Sequence, residues 1–344
     1  MNKKTILITC IGGTLAMDNV IALKKDSQLD LTIIGVDSAT PNFSLSYLDH
    51  FYKVQNGKEL GYIEEIIEIC DKHDVKLIIP GSDNEAHSLA KDQNLLKEKG
   101  ISISCCSLEI YKLISNKAST YSILSKHNLN VPEYKIINPT DNLNEIFETI
   151  KQQNQSYVLK KRETRGGRGT YFLESDSDPI PKVLHNGQRE ITLSKKEITF
   201  PFFVELIGDG CIIMEVLSPI AYDVDVFTQN GKVKNCLIRE RVNPCGIPFK
   251  GSIVRDDKKI QSYVESVCEL LQADGLLDFD FMRDKNNEIQ LLEINPRMSG
   301  SIASTYAFDY PILSNVIATL LGENYSMQPN IVFDEEVYLG VKRN

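Results

Sequence analysis

The chain has 344 residues, 42% of them apolar and 25% charged. That is the balance of a soluble globular protein, long enough for two or three domains at roughly 100–200 residues each, and it excludes intrinsic disorder and small staple-dependent scaffolds. Thirty-eight basic against 47 acidic residues leave a net charge of −9, which gives nucleic-acid binding no support, and no apolar run approaches the roughly 20 residues of a membrane span.

The opening MNKKTILITCIGG has a basic tip and a short apolar run. It reads as a first buried strand, Thr5–Thr9, rather than a signal peptide, because the run is too short. Gly12 and Gly13 follow, then a helical stretch to about Lys25. Leu31–Val36 is a second apolar run ending at Asp37. Tyr62–His73 has apolar residues at helical spacing, Val75–Pro80 is a third run, residues 84–99 read as one helix, and Ile101–Cys105 as a fourth strand. Alternation of strand and helix predicts a parallel sheet covered on both faces. Ligands of such sheets bind beyond the strand carboxyl ends, which marks Gly12–Gly13, Asp37 and Ser82–Glu85 as candidates. The two glycines serve equally well as a tight turn, and a full GxGxxG is absent.

A boundary is expected near Ser115–Lys117. A helix over 119–127, Val131-Pro132 and a helix near Asn142–Gln152 lead into the strand Tyr157–Lys160. From there to about residue 240 the pattern is strand-rich, with turns at Asn186-Gly187 and Asn230-Gly231. A helix at about 258–272 precedes two more strands. The eight cysteines form no CxxC pair and the five histidines no HxxxH, so zinc is not expected and the thiols read as reduced, in a cytoplasmic protein.

Three segments carry chemistry. In Tyr157–Phe172 an apolar strand enters a loop with three glycines and five basic residues. Glycines let backbone N–H groups approach an anion, and the cations neutralise it; the bland alternative is a solvated basic hairpin. Cys211–Pro219 is an apolar strand ending in a connector that could offer backbone groups to a purine edge or be plain core. The strongest segment pairs Leu277–Met282 with Leu291–Asn295. Period-two geometry puts Asp278 and Asp280 on one face, and Glu293 and Asn295 on one face. A hairpin symmetric about Asn286–Asn287 sets Asp280 opposite Glu293 and Asp278 opposite Asn295. Opposed like charges are destabilising, and a divalent cation such as Mg²⁺ relieves them. A bulge would shift that register, and an exposed acidic strand face is the bland alternative. Arg297 should project beside this site, suited to phosphate or carboxylate.

These elements, in this order, resemble the ATP-grasp superfamily, most closely its carbamoyl-phosphate-synthase-like and carboxylate–amine ligase members. The resemblance runs through IIGVD, IIPGSDNE, VLKKRETRGGRG, IMEVLSPIAYDVDVF, LIRERVNPCGIPFKGSIVRD and, most specifically, LLEINPRMSGS. It implies α/β and α+β architecture: a parallel pre-ATP-grasp domain (1–115), entry helices with a mobile lid (116–213) and a mixed-sheet catalytic subdomain (214–344). It implies that Lys117 and Lys160 contact ATP, that Gly166, Gly167 and Gly169 let the lid close, and that Glu215, Val216 and Leu217 meet adenine. Asp280, Glu293 and Asn295 would hold Mg²⁺, with Mn²⁺ as the alternative, and Arg297, with Lys160, would serve the transferred phosphoryl group. Ala221 stands where many relatives have a ribose-binding glutamate, so Asp223 or Asp225 is expected to substitute. Lys161 replaces the proline that often follows the lid lysine. Arg239, Arg241 and Lys250 are candidates for holding an acid substrate, with structural ion pairs as the competing role.

The implied activity is ATP-dependent joining of a carboxylate to an amine, the acid and amine (an amino acid among the expected ones) being small molecules. Bicarbonate or carbamate activation and a non-catalytic nucleotide sensor are the alternatives. A homodimer is a family-level expectation; nucleic acid and membrane are not expected partners.

Overall fold

The computed structural model describes residues 3–164, 167–186, 189–245 and 251–337. Its first unit alternates β1 (Lys4–Ile8), α1 (Ala16–Lys25), β2 (Leu31–Asp37), β3 (His50–Lys53), α2 (Tyr62–His73), β4 (Val75–Ile79), α3 (Asp83–Lys91), α4 (Gln93–Glu98) and β5 (Ser102–Ile103). The five strands are parallel, in the order β3-β2-β1-β4-β5. Ile6–Ile8 and Leu77–Ile79 are fully buried, as central strands covered on both faces must be. The chain leaves β1 and β4 side by side, where the strand order reverses, and their carboxyl ends form a crevice. There the Thr9 N–H donates to the Ile79 carbonyl, and the Gly81 N–H to the Thr9 hydroxyl, each at 3.1 Å.

Helices α5 (Leu108–Ser115) and α6 (Lys117–Lys126) connect to a second sheet. This holds β6 (Tyr134–Ile137), β7 (Tyr157–Lys161), β8 (Thr170–Glu174), β9 (Ile191–Ser194) and β10 (Cys211–Glu215), with α7 (Leu143–Gln152) and α8 (Phe200–Ile207) against it. The order is β6-β10-β7-β8-β9, antiparallel except for β8 with β9. Its faces divide by alternation. Leu159, Cys211 and Ile213 pack under α7 and α8, while Val158, Phe172, Ile212 and Met214 face α6.

The third unit is β11 (Ser218–Gln229), β12 (Lys232–Arg241), β13 (Ser252–Val254), α9 (Lys258–Leu271), β14 (Gly275–Arg283), β15 (Ile289–Asn295), α10 (Ile312–Leu321) and β16 (Glu336–Val337). Its six strands run β15-β14-β11-β12-β13-β16. Asn230 and Gly231, at φ 50° and 72°, make the two-residue hairpin between β11 and β12. Helix α9 buries Ile260, Tyr263, Val264, Val267 and Leu271, the stripe of a core-facing helix. The first and third units share their cores: Leu7 and Ile78 lie in one cluster with Phe279 and Leu291, and Ile6 and Ile79 in another with Val316. Among the described residues no helix is long and apolar enough to cross a membrane.

The expected architecture is present, with differences that have local causes. The third sheet is antiparallel throughout rather than mixed. Strand β3 adds a fifth member to the first sheet. The stretch read as one helix over 84–99 divides at Asp92, which closes α3 and opens α4. Thr199–Gly208, inside the strand-rich region, holds α8, whose Pro201 sits in the first turn, where a missing N–H costs nothing. Strand β10 runs through Glu215 within the second sheet, so residues 213–214 lie inside a strand.

Candidate active site

Three adjacent strands build an acidic face. Asp278 pairs with Asn295 and Asp280 with Glu293 across β14 and β15, and on the other side of β14, Asp225 pairs with Asp278 and Asp223 with Asp280. Directly paired residues on neighbouring strands share a face, so all six side chains emerge together. The β14–β15 hairpin is not symmetric at its tip, where Arg283 pairs with Ile289. A bulge between Asp280 and Phe281 in the ladder shifts the register and restores the pairing expected from the sequence at the two acidic rows. The sequence reading had no place for Asp223 on this face, although Asp223-Val-Asp225 has the same alternation as Asp278-Phe-Asp280.

The face is threaded with cations. Arg241 from β12 donates to Asp223 and, at 2.8 Å, to Asp280. Arg297 donates to Asp278 at 2.9 Å and lies 3.9 Å from Asp83, at the start of α3. Lys117, the first residue of α6, reaches Glu293 at 2.9 Å and also donates to the Thr164 carbonyl of the loop after β7. Asn116 caps that helix by accepting from the Ala118 and Ser119 N–H groups, which fixes where Lys117 starts.

On this face, among the described residues, three buried oxygens receive no hydrogen bond: Asp223 Oδ2, Asp278 Oδ1 and Asn295 Oδ1. Buried acceptors without donors are rare in folded proteins, and hard oxygens are the donor set of Mg²⁺. Burial pushes the Asp278 carboxyl up to about 7, against the pull of Arg297. It also holds Asp280 well above the usual range, despite Arg241. Burial acts upward on Glu293 too, but Lys117 and Lys160 outweigh it and hold that carboxyl down at about 2. Burial and the neighbouring Lys117 push Lys160 down to about 8.

The acidic face forms one side of a cavity of about 660 Å³. The opposite side is the second sheet, where alternation along β7 directs Val158 and Lys160 inward, joined by Phe172, Met214 and Leu217. Cys10, Gly13 and Gly81, from the crevice of the first sheet, close a third side. So the cavity has an apolar half and a charged half, within the roughly 300–1,000 Å³ of small-molecule sites.

The structure places the sequence candidates as follows. Lys117, Lys160, Gly167, Leu217, Asp280, Glu293, Asn295 and Arg297 all line this cavity. Gly166 and Lys250 lie outside the described residues. Gly169 sits at the base of the loop with φ 65°, its carbonyl accepting from the Lys161 N–H. Glu215 is turned toward Glu133: its N–H donates to the Glu133 carbonyl and its carboxylate accepts from the Glu133 N–H, both at 3.1 Å. Glu215 and Val216 are not among the residues lining the cavity. Asp225 is displaced from the ligand role expected of it, because its carboxylate is bound by the Arg239 guanidinium at 2.9 Å and by the Ser299 hydroxyl. Arg239 is fully buried, with Ser301 as a further partner at 2.9 Å, and so forms an internal ion pair rather than a substrate contact. Arg241 does face the cavity. The acids at the first sheet are structurally engaged as well: Asp37 accepts from the Gly12 N–H at 2.8 Å, which closes the glycine turn on a carboxylate, not a phosphate.

Two family models match the chain. Residues 6–104 match the PylC-like N-terminal domain, and residues 209–338 match the ATP-grasp family described as belonging to a biosynthetic pathway with the Ter operon. A comparison with curated proteins finds no match. Among solved structures, N5-carboxyaminoimidazole synthetase from Staphylococcus aureus aligns over 97% of this chain and 80% of its own, at 17% identity and a TM-score of 0.65. The biotin carboxylase domain of the Hydrogenobacter thermophilus 2-oxoglutarate carboxylase, solved with MgADP, ADP and bicarbonate, aligns over 97% and 73%, at 14% identity and 0.67. The L-amino acid ligase from Bacillus licheniformis aligns over 91% and 74%, at 14% identity and 0.61. At these identities the likeness establishes a shared fold.

Proposed function

We propose that this chain, an ATP-grasp protein by its fold and its family models, is an ATP-dependent ligase that joins a carboxylate to an amine and releases ADP and phosphate. The observation that carries the reading is the convergence of Asp280, Glu293, Asn295 and Arg297 with Lys117 and Lys160 on one cavity whose other half is apolar. The apolar half suits a purine and the cationic half a polyphosphate. Asp280, Glu293 and Asn295 would hold Mg²⁺, which when bound offsets charge on the phosphate oxygens.

In the first step a carboxylate oxygen attacks the γ-phosphorus, the bond to the ADP oxygen breaks, and an acyl-phosphate forms. In the second, the amine nitrogen attacks the acyl carbon, the bond to the phosphate oxygen breaks, and the nitrogen gives up its proton. The protein's part is positioning and charge neutralisation. Arg297, held by Asp278, presents its guanidinium to the transferred group. Lys160, at about 8, is mostly protonated at neutral pH and offers a positive charge from the lid side. Lys117 ties the loop at Thr164 to Glu293 and so links the glycine-rich loop to the acidic face. Closure would exclude the water that hydrolyses an acyl-phosphate.

The test is a screen of organic acids and amino acids with Mg-ATP, following ADP and product mass. We expect ADP release that requires both an acid and an amine, and a product equal to their sum less one water. Glu293→Gln and Arg297→Ala should lower turnover by about 100-fold or more. ADP release that needs bicarbonate and no organic acid would replace this reading with bicarbonate activation. ATP binding without ADP release under any mixture would leave a nucleotide-binding subunit.

A further inference from the structure

We infer that Glu190 accepts hydrogen bonds from the ribose hydroxyls of the bound nucleotide and so makes the site selective for the sugar. Glu190 is outside the residues that the ATP reading uses, though its role depends on that reading.

Alternation sets the direction of this side chain. Glu190 precedes β9, whose Ile191 pairs with Tyr171 of β8. Tyr171 and Leu193 pack on the side of α7 and α8. Neighbours along a strand point to opposite faces, so Glu190 stands beside Thr170 and, like it, lines the cavity. It packs on the glycine-rich loop: a β-carbon at Gly167 would stand 2.7 Å from Glu190 Cδ. Its Oε2 is buried and receives no hydrogen bond. A buried carboxylate oxygen without a donor is costly, which points to a ligand that brings one.

The phosphates of a nucleotide offer no donor. Its sugar hydroxyls and, in ATP, the purine amino group do, and position decides between them. On one side of Glu190 are Gly167 and Lys160, in the phosphate half of the cavity. On the other are Leu184 and Cys245, in one apolar cluster with Met214 and Leu217. Burial lowers Lys160 and raises the Cys245 thiol, and the charge of Glu190 acts on both. The sugar joins base to phosphates and falls at this boundary, whereas the purine amino group lies on the edge of the base away from it. Ala221 lines the cavity without a polar side chain. The acidic-face carboxylates Asp223, Asp278, Asp280 and Glu293 are held by Arg241, Arg297 or Lys117. A carboxylate, with two oxygens that only accept, suits two neighbouring hydroxyls.

The experiment is calorimetric titration of the full-length chain with ATP, 2′-deoxy-ATP, 3′-deoxy-ATP and inosine triphosphate, each with Mg²⁺ and without acid or amine. Wild type should bind ATP about 10-fold or more tightly than either deoxy analogue. Glu190→Ala should weaken ATP by a similar factor and bind ATP and the deoxy analogues alike. Glu190→Gln keeps one oxygen acceptor and should narrow the preference without abolishing it. Preference for ATP over inosine triphosphate should stay as in wild type. A merely structural role would weaken every ligand in proportion and keep the ratios. Circular dichroism and thermal unfolding establish which variants are folded, and should Glu190→Ala fail to fold, Glu190→Gln still decides. Equal wild-type affinity for ATP and its deoxy analogues, or an undiminished preference in a folded variant, overturns the inference and leaves ATP binding standing. So does tighter ATP binding by Glu190→Ala, the mark of a carboxylate that repels phosphate, or lost preference over inosine triphosphate alone, which would place Glu190 at the purine amino group. A wild-type chain that binds none of the four overturns the nucleotide reading together with this one, so the two failures are distinct.

Discussion

Lys117→Met removes the ammonium 2.9 Å from the Glu293 carboxylate and leaves a buried charge offset by Lys160 and by the hydrogen bond with Asp280. The shift of Glu293 from 4.5 to about 2 corresponds, at about 1.4 kcal/mol per unit, to roughly 3 kcal/mol of stabilisation. Lys117 is the first of the groups that lower it, and pairs in direct contact couple on the order of 0.5–3 kcal/mol, so a value of about 2 kcal/mol is expected. A double-mutant cycle of Lys117→Met and Glu293→Gln, read by urea unfolding in EDTA at pH 7, should give a coupling energy near that value. The Glu293 carboxyl is held below its unfolded value. The stabilisation is therefore fully present above about pH 4.5 and disappears as pH falls toward 2. The coupling should shrink steadily when the cycle is repeated across that window. A coupling below about 0.5 kcal/mol at pH 7, or one that grows on acidification, would refute the reasoning.

Other consequences follow from particular contacts. Arg239→Met should destabilise the protein by about 3–5 kcal/mol in urea unfolding, because it strands the buried Asp225 carboxylate; a variant as stable as wild type would show that the pair holds nothing. Gly169→Ala sets a β-carbon 2.8 Å from Lys161 Cγ at a φ of 65°, so the loop should distort at a cost of about 1–2 kcal/mol and the KM for ATP should rise; unchanged KM would remove this glycine from the lid's operation. Burial, with Glu85 and Asp37 adding to it, pushes the Cys10 thiol up to about 12 from 9.0. At pH 8 its thiolate fraction should be about 1,000-fold below that of an unfolded cysteine, and labelling by a thiol reagent correspondingly slow in the folded chain. Labelling at the rate of free cysteine would contradict that burial.

Legibility in the sequence followed the physical strength of each signal. Four of the five strands of the first sheet were readable because a short, continuous apolar run suits a strand buried on both faces; β3, the half-exposed edge strand His50–Lys53, has no such run. The acidic rows on β14 and β15 were readable because alternation and a short turn fix partners, although the expected symmetry held only by virtue of the bulge. Helix α8 was not readable: Phe200-Pro-Phe-Phe is rich in aromatics that favour strands, and its helix depends on packing against α7, where Phe203 meets Phe147. The fates of Arg239 and Arg241 were not readable either. They lie two residues apart on one strand, yet the first meets Asp225 and two serines in the interior while the second faces the cavity. The β11–β12 register sets Arg239 opposite Asp223, yet each arginine takes the diagonal carboxylate, Arg239 that of Asp225 and Arg241 that of Asp223, and sequence spacing carries no trace of that. Asp223 was within reach, since its alternation with Asp225 matches that of Asp278 with Asp280, but only if β11 is already known to lie beside β14.

Oxygen transfer tests the central claim most directly. Once the screen has supplied an acid, that acid is labelled with ¹⁸O in its carboxylate and turned over with Mg-ATP and the amine, and the inorganic phosphate is analysed by mass. Attack by a carboxylate oxygen on the γ-phosphorus predicts about one ¹⁸O in each phosphate released. Phosphate without label, formed at the same rate as the amide product, would contradict an acyl-phosphate route.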